Sequence, residues 1–166
     1  MPSIVLFERV KKIMKNRNNT KVCAFYASDY HFEMMTLPYI EKNVAQGKNV
    51  IIFTENDLSK TMNVLLSNLN LNENKKRKIA EINWKNQDNK KIKDIEELKL
   101  ENKDAIVFIK GNENYIKETN EKIKPILDNG MFNIIDCYNI EELENVIEVE
   151  EKYNKILNTT GIVDIN

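Results

Sequence analysis

Lys21-Val22-Cys23-Ala24-Phe25-Tyr26-Ala27-Ser28-Asp29-Tyr30-His31-Phe32-Glu33 is the stretch on which the fold turns. Val22 to Phe25 is an apolar run of strand length. The chain then passes through Ser28 and Asp29, both good helix N-cap residues. Beyond them Phe32, Met35, Tyr39, Ile40 and Val44 recur at helical spacing, predicting a helix from about 29 to 46 that Pro38 should kink or split. Gly47 suits its C-terminal cap. A strand that hands over directly to a helix is the building unit of α/β folds, and in open α/β sheets ligands bind at that handover edge.

The same unit recurs along the chain. Asn49 to Phe53 is an unbroken apolar run, as expected of a strand covered on both faces, and a helix over 57–68 follows with Leu58, Met62, Leu65 and Leu66 inward. Residues 70–78 read as a loop with a short helical turn. Ile79 to Trp84 alternates and predicts a third strand, and the polar stretch 85–103 predicts a helix over about 92–100. Asp104 to Lys110 is a fourth strand, followed by a helix over 112–129 with Pro125 near its end and Gly130 after it. Met131 to Tyr138 is a fifth. Asn139 with Glu142 forms a capping-box pattern ahead of a final amphipathic helix reaching about 157, and residues 3–16 carry helical spacing of their own. The expectation is one α/β domain over 1–166: three layers, with a mainly parallel central sheet of about five strands and helices on both faces.

Bulk composition narrows the function. The 166 residues are 42% hydrophobic and 31% charged with a formal net charge of -1, which supplies no basic face for nucleic acid. No apolar run approaches the roughly 20 residues needed to cross a bilayer, and no secretory leader is evident. Cys23 and Cys137 fall in predicted strands without metal-ligand spacing, so reduced, unreactive thiols and a cytoplasmic location are expected. The four glycines, Gly47, Gly111, Gly130 and Gly161, are too dispersed for a dinucleotide fingerprint or a P-loop. No nucleophile-elbow, zincin or kinase-type set is present, and one histidine without a cysteine pair argues against zinc. No catalytic residue, metal or cofactor is predicted.

Candidate recognition residues gather at predicted strand ends. Tyr26, Asp29, His31 and Glu33 follow the first strand. Asp29 and Glu33 share a helix face and could hold a cation or a hydrogen-bonding ligand, whereas His31 and Glu33 point about 200 degrees apart. The structural alternative has Asp29 as a helix cap, His31 at the surface and Glu33 solvated. Glu55 follows the second strand and could bind a polar effector, or be a plain loop acid. Trp84, after the third, offers a stacking face or a core side chain. Lys110-Gly111, ending the fourth, places a cation on the same edge. The glutamate-rich last helix reads as a core helix with a solvated acidic side, or as a docking or homodimer surface.

Three segments together are similar to the MEDS domain, a sensory module related to the RecA/KaiC-like ATPase fold. They are Val22-Cys23-Ala24-Phe25-Tyr26-Ala27-Ser28-Asp29 with Leu37-Pro38-Tyr39-Ile40, then Gln46 to Thr54, then Asn133-Ile134-Ile135-Asp136-Cys137-Tyr138. Where that family has a late Gly-Glu pair, this chain has Lys110-Gly111. The resemblance implies a RecA/KaiC-like sheet without a P-loop. It also implies a non-catalytic sensing or regulatory role through protein–protein contact with a signalling partner such as a histidine kinase or transcription regulator, with a small effector as a further partner. The competing expectation is a nucleotide- or small-ligand-binding enzyme using Asp29, Glu55 and Lys110.

Overall fold

The computed structural model describes residues 21–127 and 132–165, so the helix expected over 3–16 lies outside the described residues. The strands are β1 (Val22–Tyr26), β2 (Asn49–Thr54), β3 (Ala105–Gly111), β4 (Phe132–Asn139), β5 (Lys155–Asn158) and β6 (Gly161–Asp164). They form one six-stranded sheet in the order β2-β3-β4-β1-β5-β6. All neighbours run parallel except β5 and β6, which pair antiparallel. The helices are α1 (Asp29–Ala45), α2 (Ser59–Asn68), α3 (Glu73–Ala80), α4 (Asp88–Leu100), α5 (Glu113–Ile123) and α6 (Val146–Glu150), with a 3-10 turn at Ile140–Glu142.

Alternation along the strands divides the core into two layers, as the period-2 geometry of a sheet requires. On one face Val22, Ala24 and Tyr26 of β1 and Ile106 and Phe108 of β3 meet Phe32, Met35 and Ile40 of α1, Leu65 of α2 and Ile79 of α3. On the other face Cys23, Ile51, Val107 and Ile109 meet Ile95 of α4, Ile116 of α5 and Val149 of α6. This is the three-layer α/β arrangement expected from the sequence. The two cysteines are free, buried and on opposite faces, and burial pushes the Cys23 thiol up to about 12.

Four of the five expected strands stand where the apolar runs put them. The third does not. Asn72 caps α3 through Lys75 N–H, and helix continues through Ala80. Ile79 and Trp84 then close a buried loop in which the indole Nε1 donates to the Ile79 carbonyl at 2.9 Å. The alternation of 79–84 therefore reflects a helix end folding back on itself. The polar segment 85–103 is more ordered than expected, with α4 starting at Asp88. Pro38 neither splits nor ends α1; it sits on the exposed side, where the Met34 carbonyl left without its amide donor can meet water.

The C-terminal expectation is also corrected. The helix expected to reach 157 is only the five-residue α6, and the chain then forms the β5–β6 hairpin. Asn158 Oδ1 accepts from the Thr160 N–H and hydroxyl, and Gly161 takes φ 119°, a conformation that favours glycine. Leu157 and Ile156 then bury into opposite layers.

A buried polar network ties this hairpin region to the sheet. Asp136 of β4 accepts from Tyr153 Oη at 2.6 Å and from Asn120 Nδ2 of α5 at 3.0 Å, and the Tyr138 and Tyr153 hydroxyls share a hydrogen bond. Burial raises the Asp136 pKa against the lowering effect of those hydrogen bonds. Raising pH from the ordinary carboxyl range through that elevated pKa therefore costs stability, because the unfolded chain releases its proton first. Urea unfolding across this range is expected to show that decline in wild type and a flatter profile in Asp136→Asn. Tyr153→Phe should lose about 1–3 kcal/mol by removing a donor from a buried acceptor.

Candidate functional site

The C-terminal ends of four parallel strands open on a polar cleft of about 240 Å³ lined by Tyr26, Asp29, Glu55, Asn56, Lys110, Gly111, Asn139 and Glu142. Register makes this convergence. Tyr26 lies beside Asn139, Gly111 beside Tyr138, and Lys110 beside Thr54, so the last residues of β1 to β4 finish at one level. The cleft also straddles a topological switch. From β1 the chain leaves to α1 on one face of the sheet, while from neighbouring β4 it leaves to α6 on the other. Diverging connections of this kind leave a crevice at the strand ends.

Lys110 is the centre of the floor. Its side chain is 3% exposed, and its Nζ lies 2.8 Å from Asp29 Oδ1 and 3.1 Å from Asn56 Oδ1. Asn56 Nδ2 in turn donates to Asp29 Oδ2 at 2.8 Å, closing a three-membered ring of side chains from the ends of β1, β2 and β3. Nζ also stands 4.8 Å from the centre of the Tyr26 ring and 5.5 Å from that of Phe32, within cation–π range. Burial acts to raise the Asp29 pKa, but the hydrogen bond and charge of Lys110 and the Asn56 amide outweigh it and hold the carboxyl below its ordinary value.

Glu55 forms the next part of the wall. Its Oε1 accepts from the Asn112 N–H at 2.6 Å, bridging the β2 and β3 loops. Gly111 is required by this closeness: a Cβ there would stand 2.4 Å from Glu55 Oε1 and 2.6 Å from Tyr115 Cδ1.

Of the helix N-termini facing this edge, those of α1 and α5 are capped by side chains of the chain itself, and α2 carries no side-chain cap. At α1 Ser28 Oγ accepts from His31 N–H and His31 Nδ1 accepts from Ala27 N–H at 2.8 Å. At α2 Asp57 Oδ1 accepts from Ser59 N–H, and at α5 Asn112 Oδ1 accepts from Tyr115 N–H. These contacts engage one first-turn amide of each helix, at His31, Ser59 and Tyr115. The lining itself carries three carboxylates, Asp29, Glu55 and Glu142, against one ammonium, Lys110. Among the described residues no group of three or more His, Cys, Asp or Glu side chains converges as a metal site would require.

Of the seven candidate residues, Tyr26, Asp29, Glu55 and Lys110 meet in the cleft. His31 is exposed and serves the α1 cap, and Ser28 rather than Asp29 is the N-cap residue. Glu33 is not solvated: it is 1% exposed under α2, where Thr61 Oγ1 donates to it at 2.6 Å, and burial raises its pKa. Trp84 offers no stacking face, since it is 2% exposed within the core and its N–H is engaged. Asn56 was not expected at the site, and Asn139 and Glu142 were read from the sequence only as a capping box. Asn139 ends β4, and Asn56 and Glu142 lie two and three residues beyond strand ends, so position near the strand end is the signal for them.

No protein-family model, curated protein or solved structure matches the chain. The cleft offers a buried cation already satisfied by two partners and an acidic rim.

Two outcomes test this geometry. Removing Asp29 strands a buried ammonium, whereas Lys110→Met removes the charge and keeps an apolar stem, so Asp29→Ala should destabilise more than Lys110→Met in guanidinium unfolding. Gly111→Ala should cost about 1–3 kcal/mol, the usual cost of overpacking, as read from the same transition.

Proposed function

We propose that the chain is a non-catalytic sensory or regulatory module that recognises a small polar effector in the strand-end cleft and signals by changed contact with a partner protein. The observation that carries this reading is the state of the cleft's polar groups. Lys110 is held by Asp29 and Asn56, Glu55 is held by a backbone amide, and α1 and α5 carry side-chain caps. Groups fixed in this way shape and charge a binding surface. They are poorly placed to relay protons, a function that needs a free base.

Three further observations support an output through protein contact. Tyr30 and Met34 of α1, one turn apart, are exposed, and so is Ile140. Tyr30 adjoins Asp29 and Ile140 adjoins Asn139, so exposed apolar side chains flank cleft residues along the chain. No described helix is long and apolar enough to cross a membrane. The MEDS resemblance falls on β1 with α1, on β2 and on β4, three of the strands that bear the cleft, and agrees with a signalling partner such as a histidine kinase or transcription regulator in the cytoplasm.

Purified protein is expected to show no thermal shift and no hydrolysis above background with ATP or GTP and magnesium, and to retain a signalling protein in affinity capture from its native cell. A nucleotide turnover that disappears in Glu55→Ala would replace this reading with an enzyme built on Asp29, Glu55 and Lys110.

A further inference from the structure

We propose that the cleft is selective for a small organic ammonium ion. The inference rests on the effector-binding reading above and narrows it to a ligand class.

The first observation is Tyr26. The residue is 3% exposed, its ring is packed edge-on to Phe32, and among the described residues its hydroxyl takes part in no hydrogen bond. No buried side-chain oxygen lacks a partner, so the hydroxyl is the part of this residue that reaches the cleft. A nearly buried phenol whose one polar atom opens onto a cavity is a group waiting for a ligand. Its surroundings say which kind. Burial acts on it first, then Cys137 and the carboxylates of Asp29, Glu142 and Glu55, and together they keep it protonated, so it is a neutral oxygen in a cleft whose lining has three carboxylates to one ammonium.

The second observation is the balance of acceptors. Lys110 is engaged by Asp29 and Asn56, and Glu55 Oε1 by Asn112. Glu142 is exposed, and its closest hydrogen bond is a long one of 3.4 Å from Asn139 Nδ2. What remains on offer is therefore acceptor-rich: the Glu142 carboxylate, the outer oxygen of Glu55, whose hydrogen bond from Asn112 Nδ2 is a long one of 3.5 Å, and the Tyr26 oxygen. An ammonium group, with three N–H donors and a positive charge, complements such a set. An anion would face three carboxylates against one ammonium. A bare divalent cation would lack the converging carboxylates it needs, since none are grouped that way among the described residues.

Size sets the last limit. The 240 Å³ cleft has room for a short amine.

The test is isothermal titration calorimetry of the full chain with ethylammonium, 1,4-diaminobutane and agmatine, alongside inorganic phosphate, ATP, magnesium and ethylene glycol. At least one amine is expected to bind, more weakly as salt rises. Glu142→Gln, at an exposed position, should weaken that binding about tenfold, the worth of roughly one charge-assisted hydrogen bond. Tyr26→Phe keeps the ring and should weaken it several-fold. Circular dichroism of both variants checks that they remain folded. Absence of binding by every amine, or binding unchanged in both variants, overturns the proposal. Ethylene glycol bound in preference to amines, sensitive to Tyr26→Phe and not to Glu142→Gln, overturns the ammonium class while leaving an effector-binding module. ATP bound and hydrolysed overturns both.

Discussion

The strand-end edge depends on one buried nitrogen. Lys110 sits at the end of β3 with its ammonium removed from water, and an unpaired charge there would be among the most destabilising features a core can carry. Asp29 from the β1–α1 junction and Asn56 from the β2–α2 loop satisfy it, and the Tyr26 and Phe32 rings lie within cation–π range of it. Three connections that share no local sequence are thus held to one atom. The start of α1, the turn out of β2 and the end of β3 cannot shift independently without exposing that charge to an uncompensated environment. Glu55 and Gly111 repeat the device one residue further on, where a carboxylate presses against a backbone that has no Cβ to resist it.

Much of this edge was legible in the sequence because parallel strands obey simple geometry. An apolar run of strand length followed by a polar or capping residue fixes where the strand ends, and parallel neighbours in register bring those ends to one level. Tyr26, Asp29, Glu55 and Lys110 were found this way. Glu33 was misjudged because a helix wheel shows which side chains share a face, not what packs on that face; Thr61, 28 residues away, decides its burial. Trp84 was misjudged because Ile79, Ile82 and Trp84 fall two or three apart at a helix end, a spacing that imitates a strand. The C-terminal hairpin was hidden for a related reason. Ile156 and Leu157 extend the apolar spacing of the preceding segment, and only the Asn158 turn with Gly161 separates strand from helix.

The internal capping of the edge and its charge belong to the same physics. A helix N-terminus offers unsatisfied amides and a positive dipole end, and some oxygen or nitrogen must answer them. Here the answers come from Ser28, His31, Asp57, Asn112 and Glu55. Two of these are carboxylates, so satisfying the amides adds negative charge to the surroundings rather than leaving a positive pocket. An edge built to hold phosphate would bring in cations. The polarity of this edge is the reverse, apart from Lys110, whose charge is absorbed within its own ring of partners.

That ring also provides a route from ligand to surface. Asp29 is half-exposed and shared between the buried ammonium and the cleft wall, so the proposed cation beside it would perturb the carboxylate that begins the first turn of α1. Any redistribution of its hydrogen bonds changes the interaction free energy at a helix terminus, and a ligand shifts a conformational equilibrium only through such a difference between states. Tyr30 and Met34 are carried on that same helix end and are exposed. On the proposed reading, coupling between occupancy and protein contact needs no long pathway: the Asp29 carboxylate that lines the cleft and the apolar side chains that would meet a partner lie within two turns of one helix.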